Sequence, residues 1–178
     1  ELAIDNGSLP LIREYNSSGN VVSESSFNAM GSQFTVFYEL SDGNYFLHAL
    51  GNGVNKFIKI DPSANYLWTV DNDTDMHATD VIELNNQIII GQYSSGNGSD
   101  IRSYDLNGNL LWKTSYGGKY SDIYFTLHSS GDIIASYKNQ LYGGASLMRI
   151  DSSGNILWEK TYEDLPQSEF EDITNNAV

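Results

Sequence analysis

One eight-residue phrase returns four times along this chain, and no other feature constrains its fold as much. It reads Asp105-Leu-Asn-Gly-Asn-Leu-Leu-Trp112 and Asp151-Ser-Ser-Gly-Asn-Ile-Leu-Trp158, with looser copies at Asp61-Pro-Ser-Ala-Asn-Tyr-Leu-Trp68 and Asn16-Ser-Ser-Gly-Asn-Val-Val-Ser23. The first residues of successive copies stand 45, 44 and 46 positions apart. Helical repeats of that length need long apolar stretches at a period of about 3.6 residues, and none is present. Short apolar runs bounded by Gly, Asn, Asp and Ser fill each unit instead, which is strand chemistry.

The phrase itself describes a hairpin. Asp or Asn in first place accepts a hydrogen bond from the backbone two residues on, and Gly19, Gly108 and Gly154 suit a left-handed position that closes the turn. The strand that follows carries Val21, Tyr66, Leu110 and Ile156 on the Trp face and Val22, Leu67, Leu111 and Leu157 on the other, so both faces are expected to be covered. Trp68, Trp112 and Trp158 are then expected in the core between sheets, with Asp61, Asp105, Asp151, Gly108 and Gly154 shaping the turns. A second hairpin recurs upstream, at Ser41-Asp-Gly-Asn44, Leu84-Asn-Asn-Gln87 and Ser129-Ser-Gly-Asp132. Each unit therefore holds four strands: an inner strand (34–40, 81–84, 123–128), the strand after the second hairpin, the strand entering the phrase (56–60, 101–104, 146–150), and the Trp strand.

A period of about 40 to 50 residues with four strands per unit predicts an all-β fold, a β-propeller of about four four-stranded blades. The ring is either a small closed one or a segment of a larger propeller. Residues 31–74, 75–118 and 119–167 make three blades of a single repeat domain, 1–178. The fourth is split between residues 1–30, with strands at 2–5, 11–15 and 21–25, and residues 168–178. Splitting one blade between the termini removes free edges, by closure within the chain or by pairing with another copy.

The run of a basic residue near a strand end, Asp-x-x-Gly-Asn-x-x-Trp, then Thr-x-Tyr in Lys113-Thr-Ser-Tyr116 and Lys160-Thr-Tyr162, then Ser129-Ser-Gly-Asp-Ile-Ile134, resembles the repeats of bacterial and archaeal surface β-propellers. It is similar in particular to the PQQ-like and delta-60-type repeats of secreted and cell-surface proteins, over nearly the whole chain. The resemblance implies blades that scaffold or bind more often than they catalyse. It carries over no quinone site, because no residue here matches that site's metal-ligand positions.

With 23 acidic against 9 basic residues the net charge is −14, and no cysteine is present. This charge disfavours nucleic acid and anionic membranes, which require clustered Lys and Arg. Disulfides, thiol nucleophiles and thiolate metal sites are excluded. The composition points outside the cell or to its surface, and no stretch approaches the ~20 apolar residues of a membrane span.

Asp71, Asp73 and Asp75 alternate so that their oxygens could converge on a hard cation, making them candidate calcium ligands, although the full twelve-residue loop pattern is missing. An acidic solvated loop is the alternative. His48, His77 and His128 fall at non-equivalent repeat positions and are read as structural. Tyr116, Tyr120 and Asp122 are candidate carbohydrate-binding residues, since aromatic faces pack on sugars while hydroxyls and carboxylates hydrogen-bond. Asp80, Asp122 and Asp172 lie near the starts of inner strands but do not align as a ring of acids, and bracing of neighbouring blades or a solvated rim is the expected role.

The reading that results is a non-enzymatic extracellular or cell-surface scaffold, structural or adhesive, binding protein and assembling with copies of itself through the split blade. It expects no cofactor unless calcium occupies the aspartate cluster. Its rival is a carbohydrate-binding or glycan-active propeller built on axial Tyr and Asp.

Overall fold

The computed structural model describes residues 2–5, 11–26, 33–73, 75–94, 98–116, 122–139 and 144–162. They form strands throughout: β1 (Leu2–Asp5), β2 (Leu11–Tyr15), β3 (Val21–Ser26), β4 (Gln33–Glu39), β5 (Tyr45–Gly51), β6 (Val54–Ile60), β7 (Tyr66–Asp71), β8 (Met76–Leu84), β9 (Gln87–Ser94), β10 (Gly98–Asp105), β11 (Leu110–Tyr116), β12 (Ile123–Leu127), β13 (Ile133–Asn139), β14 (Gly144–Ile150) and β15 (Ile156–Tyr162). No helix long and apolar enough to cross a membrane occurs among the described residues. Four antiparallel meanders result, one of three strands (β1–β3) and three of four (β4–β7, β8–β11, β12–β15). The expected closing strand of the first sheet, 168–178, lies outside the described residues.

The chain divides into two compact units, Glu1–Thr74 and Asp75–Val178. In the first, Ile12 of β2 is buried with Tyr45, Leu47, Ile58 and Ile60 of β5 and β6, so the two sheets of this unit stack face to face. In the second, Ile89 and Ile101 of one sheet pack on Ile123, Ile133, Ala135, Met148 and Ile150 of the next. The second and third strands carry these cores. Ile88, Ile89 and Ile90 are all fully buried, which requires cover on both faces of β9.

The fourth strands do not behave as the alternation predicted. Ile60 pairs with Tyr66 but Lys59 with Trp68, so Leu67 is an extra residue. Leu111, Leu157 and Val22 are extra in the same way, because Tyr104 and Ser103 pair with Leu110 and Trp112, Ile150 and Arg149 with Ile156 and Trp158, and Tyr15 and Glu14 with Val21 and Ser23. A β-bulge therefore stands at the same place in all four repeats. Bulges break the period-two alternation and bend an edge strand. The expectation that both faces of this strand are covered is accordingly overturned: Val21, Val22, Leu67, Leu110, Leu111, Ile156 and Leu157 are each at least 40% exposed. Trp158 is also 42% exposed, contrary to the core role expected of it, whereas Trp112, partly buried, packs against the hydrophobic core of the second unit.

Candidate functional site

The turn of the phrase is held by its first side chain. Asp105 Oδ1 accepts from the amides of Asn107 and Asn109, both at 2.9 Å, while Oδ2 accepts from Asn109 Nδ2 at 2.8 Å. Asp151 repeats the set with Ser153 and Asn155, and Asp61 with Ser63 and Asn65. Asn16 makes the two backbone bonds, to Ser18 and Asn20, with a neutral amide oxygen. The Asn side-chain donor foremost, then the backbone amides, hold the carboxyls of Asp61, Asp105 and Asp151 below their ordinary value. Unfolded, these carboxyls titrate near ~3.9. Their contribution to stability is thus complete above that pH and fades as pH falls through the lower folded values. A melting temperature steady down to about pH 4 and falling below it is the expected result. Substituting Asp105→Asn and Asp151→Asn, as Asn16 already does, should flatten that acid limb by lowering the neutral-pH melt toward the acid one.

The turn also joins one sheet to the next. Trp112 Nε1 donates to Ser152 O at 3.1 Å and to Gln87 Oε1 at 3.2 Å, and Thr114 Oγ1 donates to Gly154 O. A Cβ placed on Gly154 would stand 2.5 Å from Trp112 Cε3 at a φ of +84°, so the glycine serves both turn and socket. In the first unit the same positions read differently. Ser23 occupies the Trp place, Ser25 Oγ donates to Pro62 O at 3.4 Å, and the glycine place is filled by Ala64 with φ 64°. Where no indole covers the turn, a methyl group fits. Gly154→Ala should consequently destabilise, by about 2 kcal/mol or more from strain and overpacking together, whereas Ala64→Gly should change stability by less than about 1 kcal/mol. Urea midpoints of the two variants measure this directly.

A second join links inner strands. Thr79 sits in a bulge of β8, since Ala78 pairs with Gln92 and Asp80 with Gly91. Its hydroxyl donates to Ile123 O at 3.0 Å and accepts from Ile123 N at 3.1 Å, and Asp80 Oδ2 accepts from Phe125 N at 2.7 Å. Burial raises the Asp80 carboxyl, partly offset by the Phe125 and Val81 amides. Asp80 thus braces the neighbouring sheet by satisfying one of its edge amides, that of Phe125. Asp122 is exposed, and Asp172 lies outside the described residues.

The candidate calcium aspartates are engaged separately. Asp71 pairs with Lys56, the Asp73 carbonyl accepts from Asn55 Nδ2 at 2.6 Å while its side chain is exposed, and Asp75 accepts from Ser94 Oγ at 2.6 Å. No group of three metal-ligating side chains is assembled among the described residues. Of the candidate sugar ligands, Tyr120 lies outside the described residues, and Tyr116 is buried. Its ring is 5% exposed, tilted against Tyr137 at 4.9 Å within the core of the second unit. Burial drives the Tyr116 hydroxyl pKa far upward, offset in part by Ser99 alongside, and among the described residues no hydrogen bond to the hydroxyl is formed.

The histidines serve structure. His48, fully buried against Phe57, lies between Thr35 Oγ1 at 2.6 Å and Asn55 Oδ1 at 2.7 Å. Because Asn55 Nδ2 donates to the Asp73 carbonyl, its oxygen faces the ring, so Nε2 carries the proton and Nδ1 accepts from Thr35. His77 stacks on Tyr93 at 5.4 Å, and His128 contacts Ser130.

One charged constellation escaped the sequence reading. Asp100, 4% exposed, accepts from Gln92 Nε2 at 2.6 Å, from Arg102 Nη2 at 3.1 Å and from Lys113 Nζ at 2.7 Å. The signal was available: Asp100 and Arg102 are two apart on a strand and share a face. Every member of this cluster is bonded to another, which is the arrangement of a structural ion pair. At the end of each third strand a further polar link recurs, as Lys59 to Asp42 at 2.6 Å, Ser103 to Gln87 at 2.8 Å and Arg149 Nε to Asp132 at 2.8 Å. The polar groups of the repeat are thus largely spent on its own architecture. What faces solvent beside the bulge is an apolar pair in three of the repeats and Leu67 alone in the other, where Tyr66 packs against the core.

No family profile and no curated protein matches the chain. Among solved structures, the chain is similar to one described as the Dos1 propeller, with a TM-score of 0.63, 14% identity, and coverage of 90% of this chain and 46% of that one. The fold is a β-propeller. A protein of unknown function from Bacteroides caccae is similar as well, with a TM-score of 0.56, 12% identity, and coverage of 92% of this chain and 61% of that one. The chain therefore spans less than two thirds of either neighbour. At these identities the likeness concerns fold alone.

Proposed function

We propose that this propeller is a non-catalytic scaffold that binds other proteins outside the cell or at its surface. One observation carries the reading: each of the four repeats presents the same bulged edge strand with apolar side chains turned to solvent. Isolated exposed apolar residues need no explanation, but a feature repeated at one structural position makes a patterned surface. The bulge also interrupts the edge ladder, which discourages strand addition and leaves side-chain contact as the mode of recognition. A net charge of −14 keeps such a surface soluble and favours basic partners.

The test presents the purified chain to arrays of secreted and surface proteins and of glycans. Specific protein capture that is lost in Leu111→Lys and Leu157→Lys, with the melt preserved, is the expected result. Glycan capture without protein capture, or protein capture indifferent to both substitutions, would overturn the proposal.

A further inference from the structure

The tight turns differ in how they hold their asparagines. Gly51 pairs with Val54 and Leu84 with Gln87, so Asn52-Gly53 and Asn85-Asn86 are two-residue loops. Both residues of each loop have positive φ, 56° and 77° in the first and 53° and 61° in the second, which is the type I′ hairpin turn. All four are exposed. Of the four Asn-Gly pairs in the sequence, Asn52-Gly53 and Asn107-Gly108 lie wholly among the described residues, and their surroundings are unlike. In the repeated phrase the Gly108 amide donates to Asp105 O at 3.1 Å, and the Asn107 amide donates to Asp105 Oδ1 at 2.9 Å. At the β5–β6 turn, no hydrogen bond engages the Gly53 amide or the Asn52 side chain among the described residues, and a Cβ built on Gly53 meets nothing within 4 Å.

We infer that Asn52 is a site of spontaneous deamidation and main-chain isomerisation, a chemical clock set in the β5–β6 turn. The Gly53 amide nitrogen gives up its proton to hydroxide and attacks Asn52 Cγ. The Cγ–Nδ2 bond breaks, the nitrogen leaves as ammonia, and a five-membered imide remains. Water then opens the imide. Addition at Cγ gives an aspartate, and addition at the main-chain carbonyl gives a β-linked aspartate whose backbone runs through Cβ and Cγ. No co-reactant other than water is consumed. Two features select this asparagine. Gly53 has no side chain to screen its nitrogen, in contrast to Asn86, which follows Asn85 in a turn of the same type. Its nitrogen is also free of the bond that ties down Gly108.

The consequence is structural. A two-residue loop fixes the register of its strands, and these two strands carry Leu47, Ala49, Ile58 and Ile60, all fully buried in the core of the first unit. The β-linked product lengthens the loop by a methylene, and either product adds a negative charge to a chain already at −14.

Peptide mapping by mass spectrometry provides the test, on the purified chain incubated at mildly alkaline pH until a parallel sample, unfolded in guanidinium chloride, has converted. In the folded chain Asn52 is expected to convert first, and Asn107 about fivefold or more slowly, the factor that one net hydrogen bond supplies. Asn85 should stay intact over the same interval, and in denaturant Asn52 and Asn107 should converge in rate. The incubated chain should melt at a lower temperature than the fresh one, whereas Asn52→Gly, which suits a type I′ turn, should hold its melt. Conversion at Asn107 or Asn85 as fast as at Asn52 in the folded chain, or an intact Asn52 beside a converted unfolded sample, would overturn the inference. A melt that falls equally in Asn52→Gly would overturn the structural consequence.

Discussion

Placing a single methyl group on Gly91 is expected to destabilise the second unit out of proportion to its size. The position lies in β9 where β12 of the next sheet crosses, and a Cβ there would overlap Ile123 Cγ2 outright and stand 3.0 Å from Phe125 Cζ. Ile123 is fully buried and branched at Cβ, so its χ1 has little freedom to withdraw. Separating the strands instead would stretch the bonds from Thr79 and Asp80 to Ile123 and Phe125. Overpacking of this kind costs about 1–3 kcal/mol and occasionally more. Ile123→Ala alone should cost about 2–5 kcal/mol as a large-to-small change. The decisive measurement is the double variant in urea denaturation. If the overlap is the cause, Gly91→Ala and Ile123→Ala together cost less than the sum of the two by more than about 1 kcal/mol; strict additivity would refute it.

Asp100→Ala should produce a loss of similar or greater size for a different reason. It removes the carboxylate that holds Arg102, itself 7% exposed, and takes its counter-charge from a buried guanidinium. Removing one partner of a buried pair typically costs about 3–5 kcal/mol. Lys113, whose side chain is 44% exposed, can turn to solvent and adds little to the loss. Replacing both charges, as Asp100→Ala with Arg102→Met, should recover most of the stability, since an apolar pair avoids the desolvation that the ions suffer. If the double variant is no better than the single one, the penalty does not arise from the buried cation's lost carboxylate.

The Asp-x-x-Gly-Asn turn was legible because its bonds run only two and four residues forward, from Asp105 to Asn107 and Asn109, and local spacing defines them. The strand after it was misread because a bulge is a property of two strands. Leu111 is displaced only by how β11 pairs with β10, and nothing in Leu110-Leu-Trp112 alone announces two residues facing one. Tyr116 looked like a ligand-binding aromatic, and its burial depends on Tyr137 and Ile123 from the next repeat. Asp100 and Arg102 share a face by simple alternation, yet their pairing with Gln92 and Lys113 needs the register of three strands.

The recurrence of one phrase at about 45 residues, with its glycine and its Asx turn, determined by itself that this chain builds short four-stranded meanders in series, because turn chemistry and strand propensity act within a few residues. Which Trp is covered, which apolar pair faces water and which carboxylate braces a neighbour were decided only in three dimensions. Burial belongs to pairs of sheets, and a sheet's own residues do not state what lies across from it.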